Sequence, residues 1–393
     1  MRKLCETELC TGCGACASIC PVGCIDMKPD DEGFLRPSID VANCNECNLC
    51  GETCPILGKQ SIENNETVAY AAINLDEEIR YNSTSGGIFT LLCQWVLHKD
   101  GIVFGASYDE DFNVVHCHVD DIQDLYKLRG AKYAQSNLEN TFKHVQAYLD
   151  KGKYVLFSGT PCQVGGLKAF LGKEYCNILL VDLICHGAPS PKVWERYIEY
   201  RASVDSNGTK PSKINLRSKE SGWPGYSIRF DYPNGENYSS KNSEDPFLRG
   251  FVGNLYLRPS CYNCNYKGYD RQSDFTLGDY WGVWDQEPEF HDGKGTSLVL
   301  LHTDKAKNCW NQLSNQIKYK MVDLEESLKD NPSALVSSNK TSGREEFFLN
   351  YENKEFNNII NYLIPKIEKI SETMMYRIKR HALMKIKKIL KKH

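Results

Sequence analysis

The stretch that decides the fold class reads Cys10-Thr11-Gly12-Cys13-Gly14-Ala15-Cys16-Ala17-Ser18-Ile19-Cys20-Pro21, and it recurs as Cys44-Asn45-Glu46-Cys47-Asn48-Leu49-Cys50-Gly51-Glu52-Thr53-Cys54-Pro55. Both runs follow C-x2-C-x2-C-x3-C-P, displaced by 34 residues. Three thiolates at x2 spacing wrap three corners of one [4Fe–4S] cubane, while the fourth, before proline, is carried away to a second cluster. The spacing therefore predicts two clusters, one held by Cys10, Cys13, Cys16 and Cys54, the other by Cys44, Cys47, Cys50 and Cys20. Gly12, Gly14 and Ala15 let backbone N–H groups approach the sulfides. Pro21 and Pro55 turn the chain without needing a donor. A zinc ribbon separates two C-x2-C knuckles, whereas here four cysteines fall within eleven residues. Cys5 and Cys24 lie outside the pattern and read as small buried residues.

Outward from this module, 393 residues, 41% of them hydrophobic and 25% charged, suit a substantial core and two or three domains. The start, Met1-Arg2-Lys3-Leu4-Cys5, carries no apolar leader, and no stretch approaches the length of a membrane span, so a cytoplasmic protein is expected. In a reducing compartment its 18 cysteines point to metal or redox chemistry rather than disulfides. The net charge of −4 hides an asymmetry, since ten Lys/Arg face two Glu from Lys366 onward. An acidic body with a basic tail argues against a general nucleic-acid binder. The tail, 345–393, reads as helical. Its last part, Met374–His393, is a basic amphipathic segment that rests peripherally on a membrane, docks on a partner or stays solvated.

The polar run Gln60–Thr67 reads as a linker closing a first domain at 1–60, and a larger domain follows at 68–340. Strand-like runs occur at Gly101–Ala106, Lys153–Gly159, Asn177–Ile184, Ile214–Arg217, Tyr226–Tyr232 and Ser297–His302. Helical patterns occur at Ile88–His98, Asn137–Asp150, Val164–Leu171, Lys192–Arg201 and Lys305–Gln316. The fold class is α+β: a small two-cluster ferredoxin-type domain, a larger mixed α/β domain and a helical tail. Neither G-x-G-x-x-G after a strand nor G-x-x-x-x-G-K-[ST] is present, so a Rossmann dinucleotide fold and a P-loop are unsupported.

Several loops of the larger domain carry chemistry. Asn82–Gly87 offers hydroxyls, glycine backbone and a helix N-terminus, which serves either as a phosphate seat or as a plain cap. Ser158-Gly159-Thr160-Pro161-Cys162 follows a strand and opens a helix, where α/β proteins bind ligands. Leu183-Ile184-Cys185-His186-Gly187 ends the next strand in the same way, and Cys261-x2-Cys264 follows. Singly, these cysteines read as buried residues or half a zinc knuckle. Together, Cys162, Cys185, Cys261 and Cys264 make a third four-thiolate set suited to a [4Fe–4S] cluster, with zinc or unligated thiols as the alternatives. Cys93, Cys117, Cys176 and Cys309 read as core residues.

The ordered set Ser85-Gly86-Gly87, Gly130-Ala131-Lys132-Tyr133, Gly159-Thr160-Pro161-Cys162-Gln163, Asp182–Ser190, Cys261/Cys264, Gly278–Gly282 and Gly295-Thr296-Ser297, behind a ferredoxin module, resembles the beta subunits of coenzyme F420 hydrogenases and dehydrogenases. The resemblance runs to about residue 300. It implies an iron–sulfur flavoprotein oxidoreductase with FAD among Ser85, Gly86, Gly87, Lys132, Tyr133, Gly159, Thr160 and Pro161. A surface position is the other reading of Lys132. The expected partners are a ferredoxin-like redox protein and a hydride-exchanging small molecule, coenzyme F420 or another organic substrate. The alternative is a non-catalytic electron-transfer subunit that docks on an oxidoreductase. His186, beside Cys185, is either a proton donor or a structural hydrogen-bonding residue. No catalytic residue is assigned.

Overall fold

The computed structural model describes residues 4–58 and 66–365. Most of the expected linker and the whole basic segment from Lys366, Met374–His393 included, lie outside the described residues.

The N-terminal module is built from α1 (Ala15–Ile19), β1 (Ile25–Pro29), β2 (Leu35–Ile39) and α2 (Leu49–Glu52). β1 and β2 form an antiparallel pair running from Ile25↔Ile39 to Pro29↔Leu35. The sequence repeat is also a backbone repeat. Gly12 and its equivalent Glu46 are left-handed at φ 67° and 57°, as are Gly14 and its equivalent Asn48 at 74° and 66°. Glu46 and Asn48 hold a conformation that costs a side-chain-bearing residue energy, and such outliers gather where a ligand-binding loop dictates the path.

The larger body begins with β3 (Val68–Asn74), α3 (Glu77–Tyr81), α4 (Ile88–Leu97), β4 (Ile102–Tyr108) and β5 (Val114–Val119). Next come α5 (Thr141–Asp150), β6 (Val155–Ser158), α6 (Pro161–Leu171) and β7 (Ile178–Leu183). An inserted lobe then adds α7 (Pro191–Ser206), β8 (Lys213–Ser218), β9 (Ser227–Asp231), β10 (Asn237–Lys241) and α8 (Pro246–Val252). The chain returns through β11 (Phe275–Asp279), α9 (Val283–Gln286), β12 (Ser297–Leu301), α10 (Asp304–Leu313), β13 (Ile317–Val322) and α11 (Leu324–Leu328). It continues into α12 (Gly343–Asn350) and α13 (Phe356–Leu363).

Eight strands form one sheet in the order β13-β3-β12-β11-β7-β6-β4-β5. β4, β6, β7 and β11 are mutually parallel, and β3, antiparallel to β12 as β11 is, runs the same way. Their C-terminal ends therefore share one edge, which collects Ser85–Gly87, Gly159–Cys162, Cys185 and Asp279. α4 and α10 cover one face through Leu91, Leu92 and Trp310, and α5 and α6 cover the other through Phe142, Val164 and Leu167. The lobe has its own three-stranded sheet, β10-β9-β8, and an aromatic core around Trp194, Tyr197, Phe230 and Phe247. α12 and α13 join that core through Phe347, Phe356 and Ile360, so the packed body continues beyond residue 340 to Ile364. Among the described residues, no helix is long and apolar enough to cross a membrane.

α6 receives the N-terminal module. Cys13 and Ala15 are buried in the same core as Phe157 and Val164, and a Cβ added at Gly166 would lie 2.7 Å from the Cys13 Cβ and 2.9 Å from its Sγ. One turn of this helix is bare so that the cysteine loop can lie on it. Gly166→Ala should cost about 1–3 kcal/mol, the usual range for overpacking a tight contact. The change reads out as a lower urea midpoint in anaerobic unfolding, and an unchanged midpoint would reject the close contact.

Candidate redox centres

Three groups of sulfur atoms emerge. In the first, Cys10, Cys13 and Cys54 are each under a tenth exposed. With Cys16, Gly12, Gly14, Met27 and Ile56 they line an enclosed space. Cys54 thus lies with the first cysteine run, across the sequence repeat. Cys5, read from sequence as a bystander, is in this group too: its thiol donates to Cys10 and Cys54, which pushes Cys5 up and holds those two below the usual thiol range.

The second group contains Cys20, Cys44, Cys47 and Cys50. Cys50 lies within electrostatic reach of both Cys47 and Cys20. Cys24 is buried here, with its Sγ 3.5 Å from that of Cys20 and within hydrogen-bond reach of Cys44. This group is the more open one, since Cys47 is exposed and Cys44 and Cys50 are half-buried. The two groups thus differ in solvent contact although their sequence spacing is identical.

Cys162 at the start of α6, Cys185 after β7, and Cys261 and Cys264 on the turn that follows Arg258 lie within electrostatic reach of one another and form the third group. Burial pushes the Cys185 thiol up to about 12, opposed by Lys267 and reinforced by Cys261 and Cys264. Burial likewise carries Cys261 to about 12, with the sulfurs of Cys162 and Cys264 adding to the rise. The Ala188 N–H donates to the Cys261 Sγ at 3.3 Å, the kind of backbone bond that accompanies metal-bound thiolates. Gly166 stands one turn after Cys162 on the same helix, so the first group abuts the third across about 5.4 Å of helix.

Two orphaned buried atoms suit cluster sulfides. The Tyr266 hydroxyl has no partner among the described residues, and Cys13, Cys54, Cys162 and Cys264 all act on it electrostatically. Gly165 leaves room for its ring, a Cβ there falling 2.5 Å from Tyr266 Cε1. The Gln135 Nε2 is likewise unpartnered and lies where a Gly12 side chain would begin. Tyr266 thus lies within electrostatic reach of those four thiols and Gln135 beside the Gly12 turn of the first cysteine run, and inorganic sulfide is an acceptor for such donors.

Of the residues expected around a flavin, Ser85, Gly86 and Gly87 lie where β3 meets β12, and their polar groups already have partners. Ser85 Oγ donates to the Thr296 carbonyl at 2.7 Å, and the Gly86 N–H donates to Ser297 Oγ at 3.0 Å. Gly86 is small because a Cβ would collide with the Ala72 carbonyl, while Gly87, at φ 85°, starts α4. Gly159 leads into Thr160 and Pro161, and the Thr160 N–H donates to Gln163 Oε1 at 2.9 Å. Lys132 turns back onto the carbonyls of Lys127 and Arg129, and burial lowers it to about 7. Tyr133 meets Arg217 of β8, whose Nη1 is 3.4 Å from the Tyr133 hydroxyl and whose Nη2 is 3.4 Å from the Thr84 carbonyl. Arg217 is paired with Asp279, yet its Nε is an orphan.

Sequence reasoning missed Arg217 and Lys219. Lys219 donates to the carbonyls of Arg80 and Ser85, and burial lowers it to about 7. Among the described residues neither Lys132 nor Lys219 has a carboxylate in ion-pair range. His186 is fixed on both ring nitrogens, by Asn254 Oδ1 at 2.7 Å and Ser333 Oγ at 3.3 Å, and burial lowers its pKa. That favours its structural reading over proton donation. Cys93 and Cys309 are buried as expected, Cys117 is half-buried against the core, and Cys176 is exposed because it sits in the turn before β7.

Comparison with known proteins gives two family matches. Residues 9–56 match the 4Fe-4S dicluster domain, and residues 152–327 match the C terminus of the coenzyme F420 hydrogenase/dehydrogenase beta subunit. The F subunit of the F(420)H(2) dehydrogenase of Methanosarcina mazei is 22% identical over 197 residues, 47% of this chain and 55% of that one. The coenzyme F420-dependent sulfite reductase of Methanocaldococcus jannaschii is 27% identical over 181 residues, 43% of this chain and 26% of that one. The chain thus spans about half the length of the first relative and about a quarter of the second. A chain of the F420-reducing [NiFe] hydrogenase complex from Methanosarcina barkeri superposes with a TM-score of 0.47 at 20% identity, covering 68% of this chain and 91% of that one. The N-terminal module is therefore a 4Fe–4S dicluster domain, and residues 152–327 carry the C-terminal domain of the coenzyme F420 hydrogenase/dehydrogenase beta subunit.

Proposed function

We propose that the chain is an iron–sulfur flavoprotein oxidoreductase that relays single electrons between a ferredoxin-like carrier and FAD, which exchanges a hydride with coenzyme F420 or another organic substrate. The observation that carries this reading is the convergence of Cys162, Cys185, Cys261 and Cys264 from separate segments at the sheet edge, against the Cys13 loop. FAD, when bound, converts between hydride and single-electron chemistry. The protein's own residues do the rest. Cys20, Cys44, Cys47 and Cys50 face a carrier at the surface. Cys10, Cys13, Cys16 and Cys54 exclude water, and the third set lies between them and the edge where Ser85–Gly87, Lys132, Tyr133 and Gly159–Pro161 meet. Lys132 and Lys219, held by carbonyls alone, supply positive charge for a pyrophosphate or a reduced flavin. In this reading 1–60 is the electron-entry module and 68–340, extended to Ile364 by α12 and α13, is the flavin domain.

A second reading, a non-catalytic electron-transfer subunit, draws support from Ser85 and Gly86, whose hydrogen bonds are satisfied inside the protein. Iron, sulfide and flavin analysis of anaerobically purified protein separates the two. About twelve irons with one FAD per chain is expected, whereas about eight irons without flavin establishes the carrier reading. Cys162→Ala should remove about four irons, and unchanged iron content rejects the third cluster.

The lysines predict a pH signature. Each has a folded-state pKa of about 7 against a usual 10.5, so between these values the folded state binds fewer protons than the unfolded one. Stability of flavin-free protein should therefore rise with pH from about 7 toward 10, and Lys219→Met or added FAD should flatten the rise. The melting temperature as a function of pH checks this, and a slope untouched by either change removes Lys219 from the flavin site.

A further inference from the structure

Among the described residues seven arginines are buried, and Arg258 is the most buried of them at 1% exposed. Arg80, Arg201, Arg217, Arg271 and Arg344 each have a carboxylate within ion-pair range. Arg249 has Asn361 and the Ile364 carbonyl at the lobe margin. Arg258 has no carboxylate among the described residues. Its Nε donates to the Cys10 carbonyl at 2.7 Å, one Nη to Gln135 Oε1 at 3.0 Å and the other to the Cys10 Sγ at 3.6 Å. The Phe34 ring lies 5.6 Å from the guanidinium carbon. A guanidinium sealed from water with only neutral oxygens for partners is costly unless an anion balances it, and the anion within reach is the sulfur of Cys10.

The position of Arg258 is set by the third group. Its N–H donates to the Ala188 carbonyl, its own carbonyl accepts from the Cys261 N–H at 2.9 Å, and its side chain crosses to the first group. Gly12 is bare where it passes, since a Cβ there would lie 2.7 Å from Arg258 Nη1. One residue thus ties the backbone of the third thiol set to a ligand position of the first.

We propose that Arg258 is a positioning residue that serves as the fixed countercharge of the first cluster and raises its reduction potential above that of the second, so that an electron arriving from the surface rests beside the third set. The proposal rests on the electron-relay reading above. Reduction adds one electron and no proton to a cluster whose thiolate and sulfide shell is already anionic, and a fixed cation stabilises the more negative state. The second group has no comparable cation: among the described residues no arginine or lysine donates to Cys20, Cys44, Cys47 or Cys50.

Two variants test this without depending on turnover. Arg258→Met removes the charge. Gln135→Glu neutralises it in place, because the carboxylate oxygen keeps the bonds that Oε1 accepts from Arg258 and from the Leu35 N–H; the variant also removes the Nε2 donor, which has no partner among the described residues and whose loss shifts the potential in the same direction. Redox titration with dithionite, followed by electron paramagnetic resonance, should show one cluster becoming at least tenfold harder to reduce in both variants, about 59 mV for one electron, with the others unmoved. Arg258→Lys should lie between Arg258→Met and the parent. Should Arg258→Met lose four irons, Gln135→Glu decides. Full iron content with unshifted potentials in Gln135→Glu, or a potential that rises in either variant, overturns the proposal. A parent protein without iron–sulfur signals would instead overturn the relay reading itself.

Discussion

The contact between Cys13 and the bare turn of α6 is the constraint on which the rest of the molecule depends. Two consecutive glycines inside a helix sacrifice about 1 kcal/mol each relative to alanine. Here each glycine admits a neighbour that a methyl group would exclude: Gly165 the Tyr266 ring, and Gly166 the Cys13 loop. Because Cys162 stands at the first turn of the same helix, this one rod fixes the third thiol set, the first thiol set and the tyrosine between them. The 4Fe–4S dicluster domain is consequently no tethered bead. Its α1 shares a core with α5, α6 and the strands Ile102–Tyr108 and Val155–Ser158.

The parts of this arrangement legible in the sequence are those with a local period. The C-x2-C-x2-C-x3-C-P runs place Cys54 and Cys20 across from each other because the displacement of 34 residues is a chain-level repeat, and the structure repeats it down to the left-handed residues at 12/46 and 14/48. Apolar runs such as Lys153–Gly159 and Asn177–Ile184 foretell β6 and β7, since buried parallel strands are continuously hydrophobic. β13 escapes notice because Lys318 and Lys320 sit on an exposed edge strand, and β11 because Phe275–Asp279 is short and ends in Gly and Asp. Arg217, Lys219, Arg258 and Tyr266 could not be singled out either. A lone charged or aromatic residue has no pattern, and its meaning arises only when folding removes its water and its partners can be enumerated.

That enumeration gives the electrostatics of the site their logic. An acidic chain has carboxylates in plenty, and it uses them on Arg80, Arg217 and Arg344, which brace one segment against another. Among the described residues Arg258, Lys132 and Lys219 have no carboxylate in ion-pair range; the first lies beside the Cys10 thiol, and the other two are the cations that the proposed function assigns to a flavin or its phosphates. Withholding a carboxylate from such a cation keeps its field for the ligand, whereas a nearby Asp or Glu would cancel it.

Solvent contact acts in the same direction as charge. The open second group has water to stabilise either oxidation state, and docking of the proposed carrier would change that water. The enclosed first group is isolated from such changes, so its potential is set by what the fold itself supplies, namely the Arg258 guanidinium, the Gln135 amide and the backbone N–H groups of its loop. Burial alone disfavours the more negative, reduced state of a cluster, and a closed site without a cation would form a barrier in the relay. Under the proposal, a buried arginine at the inner site and, among the described residues, none at the outer one compensates the asymmetry that docking the module on α6 creates. Enclosure and countercharge are two consequences of the same contact, because the segment that closes the cavity from the side of the third group is the one that carries Arg258 and Cys261.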